Sequence, residues 1–211
     1  MIKAILFDFG GVITESPFEA FNKYESDHGL PKDYIRTINS KNHNTNAWAR
    51  LERGEVTPED FDALFETESR EHGFTVRGLE ILKLVFTPIR ENMVSLVETY
   101  KHDYKTACLT NNFPRTKALQ EAIGEGRLTR WQSILDQFPH IIESAEIGHR
   151  KPERKFFEKA CDVIGVNPES AVFLDDIGSN LKPAREMGMT TIKVISGAQA
   201  ERDLKSLLNR G

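Results

Sequence analysis

Three carboxylates stand directly after apolar runs in this chain. Asp8 follows Met1-Ile2-Lys3-Ala4-Ile5-Leu6-Phe7, and the adjacent pair Asp175 and Asp176 follows Ala171-Val172-Phe173-Leu174. A carboxylate at the end of a strand projects into a crevice, where it can attack phosphorus and form an aspartyl-phosphate. Two neighbouring acids repel each other, so a cation is a natural third party. Magnesium suits such a pair, because it prefers oxygen ligands and often binds one or two carboxylates with phosphate oxygens. A further polar cluster, Thr110-Asn111-Asn112, closes the run Thr106-Ala107-Cys108-Leu109. The Thr110 hydroxyl and the Asn111 amide can donate to phosphate oxygens beside a helix N-terminus. Lys151 precedes Pro152 at a helix start, where its point charge would stabilise a phosphoryl transition state and keep Asp8 ionised. Gly10 and Gly11 let the backbone turn tightly after Asp8 and approach a ligand. Each feature alone has an ordinary reading as a turn, a cap or a solvated charge. Their number and order give them weight together.

The elements that must position these residues follow from the apolar pattern. Residues 3–8, 106–109, 171–174 and 191–195 are short apolar runs that read as buried parallel strands, with a weaker strand at 140–142. Helical patterns lie between them, at 114–123, 153–164 and 179–187, and an amphipathic helix closes the chain at 198–210. Strand and helix in alternation predict an α/β, doubly wound parallel (Rossmann-like) sheet. Such sheets bind ligands at the carboxyl ends of their strands, so Asp8, Thr110-Asn111-Asn112 and Asp175-Asp176 would converge.

The segment 16–99 differs. It carries helix signals instead of strands: Ser16 then Pro17 as N-cap and first helical residue, and Thr57-Pro58-Glu59-Asp60 opening another helix. Phe18, Phe21, Tyr24, Phe61, Leu64 and Phe65 recur at helical spacing and read as packing residues. A helical cap over 16–99 would exclude water and select substrate, with the core formed by 1–15 and 100–211. Trp48, with Asn44, Asn46 and Arg50, is a candidate lining of the substrate pocket.

Composition bounds the possibilities. The chain has 211 residues, 39% hydrophobic and 28% charged, which is a globular balance. Its formal net charge of -4 argues against a uniformly basic nucleic-acid binder. Cys108 and Cys161 have no disulfide or metal spacing and read as buried reduced thiols, and the six histidines show no zinc pattern. The N-terminal apolar run is too short for a signal segment or a membrane span, so the expectation is a cytoplasmic protein with no membrane partner.

Four elements therefore stand in a fixed order: Phe7-Asp8-Phe9-Gly10-Gly11-Val12-Ile13, Leu109-Thr110-Asn111-Asn112, Arg150-Lys151-Pro152-Glu153 and Phe173-Leu174-Asp175-Asp176-Ile177-Gly178-Ser179-Asn180. They resemble the four motifs of the haloacid dehalogenase-like hydrolase superfamily. The likeness is strongest to the phosphatase-like N-terminal domain of soluble epoxide hydrolases, above all from Phe173 to Met189. Arg53-Gly54-Glu55-Val56-Thr57 in the cap is also similar. The resemblance implies a Mg2+ ion held by Asp8, the Gly10 carbonyl and Asp176, with Asp175 and Asn180 orienting the site. It implies Asp8 and Lys151 as catalytic residues, and Thr110, Asn111 and Lys151 as ligands of a small phosphorylated substrate. It carries no epoxide hydrolase activity, which in that family belongs to a separate domain. One position departs. Phosphatases of the superfamily usually carry a second acid two residues after the nucleophile, and here that residue is Gly10. Such an acid–base is typically worth about 10²–10⁴-fold. The reading is thus a Mg2+-dependent phosphatase of small phosphomonoesters, slowed at Gly10. A non-catalytic binding or regulatory protein on the same fold is the alternative. A dehalogenase also uses an Asp nucleophile, but dehalogenases of the superfamily lack the acid pair that Asp175-Asp176 supplies here.

Overall fold

The structure is a computed structural model that describes residues 1–209; Arg210, the last residue of the expected C-terminal helix, lies outside them. Five parallel strands form one sheet: β1 (Ala4–Phe7), β2 (Lys105–Thr110), β3 (His140–Glu143), β4 (Ala171–Asp175) and β5 (Thr190–Lys193), in the order β3-β2-β1-β4-β5. β1 is central, with Phe7 opposite Cys108 on one side and Leu174 on the other. The chain fills one side of β1 with β2 and β3, then crosses to the other side for β4 and β5. This is the strand-order reversal at which such sheets open a crevice.

Among the described residues, twelve α-helices accompany the sheet. They are α1 (Phe18–Asp27), α2 (Tyr34–Ser40), α3 (Ala47–Glu52), α4 (Pro58–Glu71), α5 (Gly78–Leu84) and α6 (Glu91–Tyr100) between β1 and β2. α7 (Lys117–Ile123) and α8 (Glu125–Leu135) precede β3. α9 (Ser144–Ile147) and α10 (Arg154–Ile164) precede β4, and α11 (Gly178–Glu186) and α12 (Gly197–Leu208) follow it.

The strands are apolar on both faces because both faces are covered. Ile5, Phe7, Cys108, Val172 and Leu174 point to one core, closed by α6, α8 and α12 through Met93, Ile134 and Leu204. Ala4, Leu6, Ala107, Leu109 and Phe173 point to the other, closed by α10 and α11 through Phe156, Phe157 and Leu181. A third cluster lies in α1–α5, where Phe21, Ile35, Leu51, Phe61, Phe65 and Leu82 are buried. So the range 16–99 contains five helices with a core of their own and a sixth, α6, that packs on the sheet. Leu119 of α7 joins the α1–α5 cluster, so the two bodies share apolar contacts.

Local signals explain most boundaries. Thr57 and Asp60 form a reciprocal capping box with Pro58 in the first turn of α4. Ser196 and Gln199 do the same at α12. The run 191–195 ends early as a strand, because the Ile195 N–H is drawn to Gln199 Oε1 at 2.9 Å. The helix expected over 114–123 begins only at Lys117, after Thr116, whose hydroxyl accepts from the Leu119 N–H. Ser16 does not cap a helix: α1 starts after Pro17 with no side-chain cap. Its hydroxyl is turned to Asp176 instead, at 3.3 Å. α8 was not legible as a separate helix, although Leu128, Trp131, Ile134 and Leu135 carry the right spacing; Gly124, at φ 93°, splits it from α7.

Candidate active site

The carboxyl ends of β1, β2 and β4 bring Asp8, Thr110 and Asp175 together, and the loop before α10 adds Lys151. Lys151 is 1% exposed although it carries a charge. Its ammonium lies 2.7 Å from Asp8 Oδ1 and 2.9 Å from Asp175 Oδ2, and it donates to the Leu109 carbonyl at 2.9 Å. All three of its protons thus have acceptors, which is what a buried ammonium requires. Burial works against its charge, but Asp175 and Asp8 outweigh that and hold it above the usual lysine range.

Asp175 is fully buried and saturated. Besides Lys151, it accepts from the Ile177 N–H at 2.7 Å and from Asn180 Nδ2 at 3.0 and 3.2 Å. Asp8 Oδ1 accepts from the Phe9 N–H at 2.7 Å as well as from Lys151. Its second oxygen has no partner of that kind among the described residues. Burial pushes the Asp8 carboxyl well above the usual range; Lys151 opposes this, and Asp175 adds to it. Asp176 rises to about 6 through burial and then the charge of Asp175. Asp8, Asp175 and Asp176 each offer an oxygen, and these oxygens lie within 4.8 Å of one another. The set is hard and anionic, which fits Mg2+. Asp8 and Asp176 are the members with oxygen to spare, since Asp175 is engaged.

The turn after Asp8 is shaped by its glycines. Gly11 has φ 77°, and a Cβ there would lie 2.2 Å from Asp176 Oδ2, so only glycine lets Asp176 close on this turn. Arg90 donates to the Gly11 carbonyl at 2.6 Å and braces the same turn. Gly10 is different: its φ is -67°, and a Cβ there would meet nothing within 4 Å.

Thr110 is 8% exposed, and its hydroxyl makes only a 3.4 Å bond to the Asn111 carbonyl. The Asn111 side chain is engaged: its oxygen accepts from the Lys151 N–H at 2.8 Å, and its amide donates to the Lys151 carbonyl at 3.0 Å. In this structure it clamps the Lys151 loop. That amide also donates to Glu52 Oε2 of α3 at 3.2 Å. Sequence reasoning missed Glu52. It accepts from Trp48 Nε1 at 2.9 Å, and its Oε2 lies 2.6 Å from Arg150 Nε as an ion pair, although that N–H is not aimed at the oxygen. Burial raises the Glu52 carboxyl, against the lowering effect of Arg150 and Trp48. Its only sequence signal is an acid just before Arg53-Gly54. Ser16 and Arg90 were missed for the same reason: their partners are distant in sequence. A cavity of about 1380 Å³ opens over Asp8, Thr110, Lys151 and Asp176, between the sheet and α1–α5. Of the four pocket candidates only Trp48 lines it. Asn46 is used as the N-cap of α3, and Arg50 lies 3.8 Å from Glu55.

A family model described as haloacid dehalogenase-like hydrolase matches residues 2–188. The chain belongs to that family. Among curated relatives, the hydrolase is 28% identical to mouse bifunctional epoxide hydrolase 2 over 98% of its own length, and it spans 39% of that protein. It is 28% identical to D-ribitol-5-phosphate phosphatase of Bacteroides thetaiotaomicron, over 99% of the chain and 100% of the relative. The hydrolase also shares its fold with a solved family enzyme of Bacteroides thetaiotaomicron, in complex with magnesium and inorganic phosphate. That likeness has a TM-score of 0.60 and 22% identity, over 92% of this chain and 94% of the other. No helix among the described residues is long and apolar enough to cross a membrane.

Proposed function

We propose that this hydrolase is a Mg2+-dependent phosphatase of phosphomonoesters that works through an aspartyl-phosphate on Asp8. The observation that carries this reading is the charge-paired cluster at the cavity floor. Asp8 lies 2.7 Å from a buried Lys151, beside Asp175 and Asp176. Two relatives support it by name: the ribitol-phosphate phosphatase and the enzyme solved with magnesium and phosphate.

In this reading Asp8 and Asp176, with the Gly10 carbonyl, would hold Mg2+, which supplies a positive charge against the phosphoryl oxygens. The protein does the rest. Lys151 keeps Asp8 anionic and neutralises charge on the transferring group. The Thr110 hydroxyl donates to a phosphoryl oxygen, and the Asn111 clamp sets Lys151 in place. Asp175 holds Lys151 and takes no part in bond making. Asp8 attacks phosphorus in line with the leaving oxygen, and the bond to that oxygen breaks. The helices α1–α5 cover the site as a cap, with Trp48 and Glu52 on the covering surface. Gly10 leaves leaving-group protonation and water activation without the usual side chain.

The test is hydrolysis of p-nitrophenyl phosphate with and without magnesium. Metal-dependent turnover that falls at least about 10³-fold in Asp8→Asn supports the proposal. Turnover that survives Asp8→Asn, or that EDTA leaves intact, sinks it.

A further inference from the structure

The open slot at Gly10 raises a question about protons. Any phosphoryl transfer from an alkyl ester must deliver a proton to the departing oxygen. The acids that reach the cavity floor are all engaged. Asp8 is the attacking group, and Asp175 is saturated by Lys151, Ile177 and Asn180. Asp176 holds Ser16 and belongs to the metal-binding cluster. Glu52 has both oxygens engaged, Oε1 by Trp48 and Oε2 by Asn111 and Arg150. Glu143 accepts from Asn112 and Arg115. The other acids and the histidine of the cavity, His43, Glu121, Glu125 and Asp136, stand at exposed positions. The described acids on the floor with an oxygen to spare, Asp8 and Asp176, are the attacking group and a member of the candidate metal cluster, so neither is left for this task.

The cavity walls say what the rest of the substrate is. Phe18, Phe21 and Trp48 line it from the cap, and Phe86, Phe113 and Trp131 from the linker and core. Phe86 packs on Trp131 at 4.6 Å and on Phe113 at 6.2 Å, so the wall is continuous. At about 1380 Å³ the space far exceeds a phosphoryl group, and cavities of this lining bind apolar bodies.

Resting on the phosphatase reading, we infer that the substrate is a phosphate on an apolar body whose leaving oxygen departs as a stable anion, as in an acyl phosphate. The steps then balance without an acid. An Asp8 oxygen bonds to phosphorus, the bond from phosphorus to the acyl oxygen breaks, and the electron pair leaves on a carboxylate. The aspartyl-phosphate is itself an acyl phosphate. In the second step water bonds to phosphorus, the Asp8 oxygen leaves as carboxylate, and the water proton stays on phosphate or passes to solvent.

The experiment compares benzoyl phosphate with benzyl phosphate, which share a ring but differ in leaving group, in wild type and Gly10→Asp. Gly10 has room for the new side chain. In wild type kcat/KM should favour benzoyl phosphate by at least about 100-fold, and Gly10→Asp should narrow that gap at least about 10-fold, the scale of one acid–base group. p-Nitrophenyl against phenyl phosphate repeats the wild-type arm without any substitution. Acetyl phosphate should show a higher KM than benzoyl phosphate. A smaller wild-type gap, a gap that Gly10→Asp leaves unchanged, or equal KM values overturn the inference while the phosphatase reading stands. No turnover of any of these, and no phosphorylated Asp8, overturns both.

Discussion

Lys151 is the residue on which the site's charges balance. It is buried between Asp8 and Asp175, both of which need its proton donors. Removing one partner of a buried ion pair typically costs about 3–5 kcal/mol, because it strands the other. Lys151→Met keeps the stem volume and removes the charge. It should lower unfolding free energy in urea by about that amount at pH 7.5. The loss should shrink at pH 5, where the stranded carboxyl groups can take up a proton. An equal loss at both pH values would mean that Lys151 acts through packing alone. The sequence singles out Lys151 by its place before Pro152 and its match to a motif. Its third bond, to the Leu109 carbonyl, is not legible there, because periodicity does not show which loop crosses a strand end. Asn111 shows the same gap. Its amide suggests a phosphate ligand by residue type, while the fold engages it with the Lys151 backbone.

At the level of elements, the strands were readable because each is a short apolar run with two covered faces. The way α3 meets the core was not. Glu52 ends α3, yet its partners Arg150 and Asn111 lie about a hundred and about sixty residues downstream, respectively, distances no local pattern spans. Neighbouring contacts reinforce this one. Arg150 donates to the His43 carbonyl at 2.9 Å, and Arg53 lies 3.4 Å from Glu153. Gly54, at φ 69°, sits where a Cβ would be 2.5 Å from the Ala145 carbonyl, so the turn after α3 rests on α9 through bare backbone. This set is a latch between α3 and the loop that carries Lys151. Glu52→Ala and Arg150→Ala should each loosen it. The expected readout is a red shift of Trp48 emission, best seen with Trp131→Phe removing the second indole. The double variant should be no more perturbed than either single one, since both break the same contact. Additive shifts would show that the two residues act independently.

For the whole molecule, the carboxylate cluster ties stability to pH and, under the proposed function, to magnesium. Asp8 and Asp176 carry raised carboxyls, the latter at about 6 against an ordinary value of 3.8. The folded state therefore binds those protons more tightly than the unfolded chain. The stabilisation this gives is fully present below the unfolded value and is lost as pH rises through about 6. A metal-free protein should thus lose stability from this site between pH 5 and pH 7.5. Under the proposed function magnesium would bind the deprotonated form and restore it, by about 2.7 kcal/mol at a hundred times Kd. In a chain of this size that is roughly a 5–11 °C rise in Tm. At pH 5 the proton competes with the metal for Asp176, and the rise should be small. The same thermal scans with Asp176→Asn separate the causes: if the site is the source, that variant shows no magnesium-dependent rise at pH 7.5. A rise that persists in Asp176→Asn, or that is equal at both pH values, would place the ion elsewhere and remove Asp176 from its proposed role.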